Sequence, residues 1–211
     1  MEPMASTTTH RRTQAERRAT SRARLLDAAL ESLAELGYAG TTFPEVVRRA
    51  GLSNGALWRH FQSKAELLAA AALHSEQGLE ARVRPRRVDD RPPGERLDLA
   101  VEALWQYSKQ PAFAALLELY SASKQDEDLR EALISTDQAS AELVFDMMGR
   151  MVGDELASHP NFQRNVRFLG LTMYGIAITR NLRVPKREPE VLAELKETAR
   201  ELFDLRPSPE E

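Results

Sequence analysis

The stretch GLSNGALWRHFQSKAELL, Gly51 to Leu68, concentrates small polar, aromatic and cationic side chains. Ser53 supplies a hydroxyl, Asn54 an amide with both donors and an acceptor, and Arg59 and Lys64 supply cations. Trp58 and His60 add ring N–H groups. Hydroxyls and cations suit phosphate, and an amide suits a base edge. Three helix starts, at Thr42, Ser53 and Ser63, fall in or beside this stretch, and a helix N-terminus offers unpaired N–H groups to phosphate.

Other chemistries find no support in the residues. There is no cysteine, which excludes disulfides, thiolate zinc sites and cysteine nucleophiles. The four histidines, His10, His60, His74 and His159, show no metal-ligand spacing. The chain has no P-loop, no G-x-S-x-G and no H-E-x-x-H, so an enzyme is not expected, nor is a metal or cofactor. The longest apolar run, Leu67 to Leu73, is seven residues. A membrane-spanning helix needs roughly 20. A cytoplasmic protein with no membrane partner is expected.

Charge is divided along the chain. The net charge is −3, yet His10 to Lys64 carries ten Lys/Arg against five Asp/Glu. From Ser75 onward there are 19 Lys/Arg against 25 Asp/Glu. A basic front on an acidic protein points to an anionic partner at that end, or to a solvated basic tail.

The elements that would position these groups are helical throughout. Residues 1–18 lack apolar periodicity and read as a flexible basic arm. Leu25, Ala29, Leu33 and Leu36 mark one face of a first helix, Ser21 to Leu36, closed by Gly37. Thr42 with Glu45 fits a capping box for a short helix, Phe43 to Ala50, with Pro44 tolerated in its first turn. Gly51 stops it, and Ser53 caps a third helix, Asn54 to His60. Ser63 with Glu66 fits a second capping box, opening a long helix that reaches about Arg84. PRRVDDRPPG, Pro85 to Gly94, reads as a loop. Helical patterns then cover about 95–109, 112–124, 127–152, 161–182 and 188–204. The expectation is an all-α protein of about nine helices, with a helix-turn-helix unit over 19–66 and a larger helical domain over 67–206.

Helix, AGLS, helix is helix-turn-helix spacing. TTFPEVVRRAGLSNGALWRHFQSKAELL resembles the DNA-binding signature of tetracycline-repressor-type (TetR-family) regulators. The likeness spans about residues 21–70: Leu36 to Thr42 as LG-Y-x-G-TT, then A-G-hydrophobe-S, G-x-L-aromatic-x-H-F and S-K-x-x-L-L. The resemblance implies that Thr42 touches phosphate and that Ser53, Asn54, Gly55 and Ala56 lie against bases or the sugar-phosphate chain. It implies that Trp58, His60 and Lys64 meet phosphate, with Arg59 beside them. Two departures stand out. Trp58 replaces a family tyrosine, and an indole donates but cannot accept. Phe43-Pro44 opens the second helix, where many members place polar or charged residues. The residues themselves leave Trp58 open to a packing role, and Arg48 and Arg49 to simple solvation.

One such headpiece binds weakly, and half-sites about 34–36 Å apart demand a dimer on a palindromic operator. Leu171, Gly175, Ile178 and Leu182 recur on one face of 161–182, and Leu195, Ala199 and Leu202 on 188–204. The resemblance implies that these two helices from each subunit form a four-helix bundle; the alternative is burial in their own subunit. Between headpiece and interface lie large adaptable side chains, which the family uses to line a pocket for a small, largely apolar effector. The expected lining is Trp105, Phe113, Leu117, Tyr120, Met147, Met151, Met173 and Tyr174, with His74 facing either pocket or solvent. The expected function is a homodimeric repressor released from its operator by that ligand. A DNA-binding protein without an effector is the alternative, and a sealed core over 95–180 would favour it.

Overall fold

The computed structural model describes residues 13–83, 90–180 and 188–205. Among the described residues it contains ten helices and no strand. In order they are α1 (Gln14–Gly40), α2 (Phe43–Ala50), α3 (Asn54–Trp58), α4 (Lys64–Val83), α5 (Pro93–Tyr107), α6 (Pro111–Ala122), α7 (Glu127–Val152), α8 (Asp154–Ala157), α9 (Phe162–Arg180) and α10 (Glu188–Leu202). The all-α expectation holds. The four-residue α8 is too short to leave a periodic signal, and it accounts for the helix not foreseen.

Several boundaries differ for local reasons. Helix α1 starts at Gln14 rather than Ser21, because Thr13 and Glu16 form a reciprocal capping box. The part of the expected arm from Gln14 to Arg18 is therefore helical, and residues 1–12 lie outside the described residues. Gly37 does interrupt α1, at φ +68°, a region that glycine enters cheaply. A further turn follows it before Thr41. Leu36, expected on the buried stripe, is 48% exposed beside this break. Both expected capping boxes are half-formed. Thr42 accepts from the Glu45 N–H, but the Glu45 carboxylate pairs with Arg48 and Arg49 instead. Ser63 accepts from the Glu66 N–H, while the Glu66 carboxylate takes the Gln62 N–H.

One continuous core joins the front and back of the chain. Leu25, Leu26, Ala29 and Leu33 of α1 meet Val46 and Val47 of α2, Leu57 of α3, Phe61 and the buried Leu67, Leu68 and Ala71 of α4. Each fully buried leucine contributes about 1.5–3 kcal/mol. Helix α4 packs chiefly on α7 and also on α1 and α6, so it runs from the headpiece into the larger domain. Behind it, Leu97, Val101 and Trp105 of α5, Leu116 and Leu119 of α6, Met147, Met148 and Met151 of α7, and Leu169 and Met173 of α9 extend the same core.

Candidate nucleic-acid interface

Helix α3 has two unlike sides. Ala56 and Leu57 are buried, at 7% and 1% exposure, and lock the helix against α1 and α2. Ser53, Asn54, Gly55, Trp58 and Arg59 are exposed. Ala56 thus belongs to the core side, and it cannot meet a base as expected. Ser53 caps the helix, accepting from the Ala56 N–H at 3.3 Å. Gly51, at φ +60°, makes the tight turn between α2 and α3. Arg24 of α1 donates to the Ala50 carbonyl beside that turn, which ties the end of α2 to α1.

Trp58 is not a packing residue in the core: it is 52% exposed. Its ring meets Phe43 edge-on, with centroids 4.9 Å apart. Such a pair contributes about 0.5–1.5 kcal/mol beyond area burial. The two departures from the family pattern are therefore one feature, an aromatic pair that joins the start of α2 to the end of α3. Thr42 is exposed at the N-terminus of α2. Thr41, its neighbour, is buried, accepts from Ser32 at 3.2 Å and donates to the Gly37 carbonyl at 2.8 Å. The paired threonines divide their work between the core and the surface.

The cations are placed differently from one another. His60 is half-buried, with Nε2 2.8 Å from the Ser21 hydroxyl. Burial, then Arg18, Arg22 and Arg59, hold its pKa below the ordinary histidine value. Arg59 Nε donates to the Gly55 carbonyl at 3.0 Å. Lys64 turns inward: its ammonium donates to the Tyr38 carbonyl and lies 3.7 Å from the centre of the Tyr38 ring. Burial holds its pKa down. This internal partnership stands where a phosphate contact was expected. Arg49 bonds Glu45 and Glu35 and is largely covered, whereas Arg48, paired with Glu45, is 68% exposed.

Tyr38 was not foreseen as a functional residue. Its N–H donates to Glu118 of α6 at 3.0 Å, and its hydroxyl donates to Asp126, the N-cap of α7. Together with Lys64 it ties the end of α1, the start of α4 and two helices of the larger domain. Local sequence gives no signal for this junction, because its partners lie 80 and 88 residues away.

The expected pocket lining is mostly core. Trp105, Phe113, Met147, Met151 and Met173 are between 2% and 9% exposed. Trp105 packs under Lys109 and Arg180, and Phe113 stacks on Tyr174 at 4.9 Å. Leu117 is partly buried against the same core. His74 does not line the cleft; it lies at the surface, with its Nε2 2.9 Å from the exposed Asp27 of α1. Of the expected set, Tyr120 alone lines the cleft of about 220 Å³ between α4, α6 and α7. Ala72, Leu73 and Glu76 of α4 form another wall. Glu76 was missed, although an acid four residues after Ala72 on an apolar stripe is a legible anomaly.

The expected interface divides as well. On α9, Leu171 and Ile178 are 63% and 61% exposed, and Gly175 is exposed between them. Phe168, one turn earlier, is 49% exposed. On α10, Leu195 and Ala199 are buried at 5% and 0%, and Leu202 is partly buried. That helix packs on α5 of its own chain, which covers Leu195 and Ala199 and leaves Leu202 partly exposed. Leu182 lies outside the described residues.

Two short helices at a tight turn, braced by α1 and α4 with a polar outer face on the second, define a helix-turn-helix DNA-binding unit. Residues 25–71 match the family described as bacterial regulatory proteins, tetR family. An uncharacterized HTH-type transcriptional regulator of Mycobacterium tuberculosis, Rv2912c, is 31% identical over 182 residues, covering 85% of this chain and 91% of that protein. The HTH-type transcriptional regulator CymR of Pseudomonas putida is 34% identical over 137 residues, covering 65% of this chain and 68% of its own. The chain belongs to the TetR family of transcriptional regulators. The fold agrees: a transcriptional regulator from Rhodococcus superposes with a TM-score of 0.63 at 22% identity, over 89% of this chain and 100% of the other. Among the described residues, no helix is long and apolar enough to cross a membrane.

Proposed function

We propose that the protein acts as a homodimeric repressor that places α3 of each subunit in successive major grooves of a palindromic operator. Asn54 is the base reader. Thr42, Ser53, Gly55, Trp58, Arg59 and His60 surround it on the sugar-phosphate chain. The observation that carries this reading is the two-sided α3, which buries Ala56 and Leu57 and leaves Ser53, Asn54, Gly55, Trp58 and Arg59 exposed. Dimerisation through α9 is supported by the exposed row Phe168, Leu171, Gly175 and Ile178, which recurs at helical spacing.

A small-molecule effector in the α4–α6–α7 cleft is the proposed release signal. Helix α4 carries Lys64 near the headpiece and Glu76 at the cleft, about 18 Å apart along its axis. A ligand that shifts α4 strains the Tyr38 junction and changes the spacing of the two recognition helices. Affinity then falls, because only one spacing fits successive grooves. The test is a footprint with purified protein on the DNA flanking its own gene. Protection of two half-sites one helical turn apart, by two subunits, is expected. A single unpaired half-site, or no preference over random DNA, defeats the reading.

A further inference from the structure

The cleft between α4, α6 and α7 contains a carboxylate without a counter-charge. Glu76 is 8% exposed and lines the cleft. The Ser140 hydroxyl donates to one of its oxygens at 2.6 Å. Among the described residues no Lys, Arg or His pairs with it. Asp137 lines the same cleft and adds a second negative charge. Arg130, the cation there, is paired with Glu127 on its own helix. Burial first, and Asp137 after it, push the Glu76 carboxyl above its ordinary pKa, against the pull of Ser140. Burying a carboxylate is unfavourable unless hydrogen-bonding or cationic partners compensate it, and here the described residues supply one hydroxyl and no paired cation.

The surroundings fit one kind of partner. Tyr120 lines the cleft and meets Tyr174 edge-on, with centroids 5.5 Å apart. Tyr107, deeper in, bonds Ser75 at 3.1 Å, the residue before Glu76. Faces of electron-rich rings attract cations, more strongly where water is excluded. Leu133 and Ile134 supply apolar surface at the rim. The volume, about 220 Å³, falls below the roughly 300–1,000 Å³ of a drug-sized pocket.

We propose that this cleft binds a small organic cation, its ammonium against Glu76 and the Tyr120 ring, its apolar part on Leu133 and Ile134. This replaces the largely apolar ligand expected from the sequence, and it rests on the effector reading above for its regulatory meaning only.

The experiment is calorimetric titration of the full chain with benzyltrimethylammonium and with its neutral carbon isostere, neopentylbenzene. The cation is expected to bind at least about tenfold more tightly than the isostere, since charge attraction to a buried carboxylate together with contact on an aromatic face is typically that strong. Glu76→Gln keeps the shape and is expected to lose at least about tenfold in cation affinity, with little effect on the neutral compound. Tyr120→Leu is expected to weaken the cation several-fold. Equal binding of cation and isostere by the wild-type chain overturns the proposal without any variant, and so does undiminished cation binding by a folded Glu76→Gln. Operator release is scored separately. A cation that binds in a Glu76-dependent manner but leaves the operator complex intact confirms the site and refutes the effector reading instead.

Discussion

Two surfaces of this molecule, the outer face of α3 and the outer face of α9, are both exposed, and they differ in what makes them recognisable. The α3 face is polar, small and marked by fixed neighbours: Ser53, Asn54 and Gly55, then Trp58 and Arg59. The α9 face is apolar, with Phe168, Leu171 and Ile178 between about half and two-thirds exposed. In sequence, an apolar stripe on a helix reads as core. Its exposure after folding is what supports the proposal that α9 meets a second chain. A polar contact surface is legible from residue types, whereas an apolar one needs the fold to show that its own subunit does not cover it.

The strongest way to break this comparison is to charge the α9 face. Leu171→Glu with Ile178→Glu is expected to leave the melting temperature of the subunit nearly unchanged. It is also expected to dissociate the dimer and lower operator affinity by roughly 100- to 10,000-fold, the usual range for losing linked binding. Sedimentation and operator titration on the same sample measure both. A dimer that persists removes α9 from the interface.

Asn54→Ala probes the α3 face. It is expected to cost about 1–3 kcal/mol on the operator and little on random DNA, so the ratio of the two affinities falls. An equal loss on both substrates makes Asn54 a phosphate contact rather than a base reader.

Lys64 sharpens the boundary between surface and junction. Because its ammonium is held on Tyr38, Lys64→Ala is expected to lower stability by about 1 kcal/mol. The salt dependence of operator binding is expected to stay the same. A slope shallower by about one per subunit returns Lys64 to the phosphate backbone.

The smallest expected effect is a pH dependence from His60. Its folded pKa lies below the ordinary 6.5, so the unfolded chain takes up the proton first as pH falls. Stability is unaffected well above pH 6.5 and declines as the pH drops through that value towards the lower folded one. Melting curves between about pH 7.5 and 5.5 are expected to fall less for His60→Gln than for the wild type. Parallel curves would show that the Ser21 contact, not titration, is what His60 provides.

The helix order and the headpiece were legible because their signals are local. Capping hydroxyls at Thr42, Ser53 and Ser63, the left-handed Gly51 and the apolar spacing of Leu57 and Phe61 each act within a few residues. The helical pattern over 127–152 matches α7, which Asp126 caps at its start and Gly153 closes at its end. The residues whose surroundings were not legible share a different property. Ala56, Leu195, Ala199 and the Trp105–Met173 group lie on stripes whose destination depends on which helix arrives opposite them.

By itself the sequence determined that this is an all-α protein with a helix-turn-helix near its N-terminus, since turns, caps and periodicity are consequences of neighbouring residues. Tertiary structure alone decided which side of α3 is buried, that Lys64 serves Tyr38, that α9 keeps an apolar face outward, and that Glu76 has no cation paired with it among the described residues. Burial and pairing are made between residues far apart in the chain, and no local pattern records which partner each side chain meets.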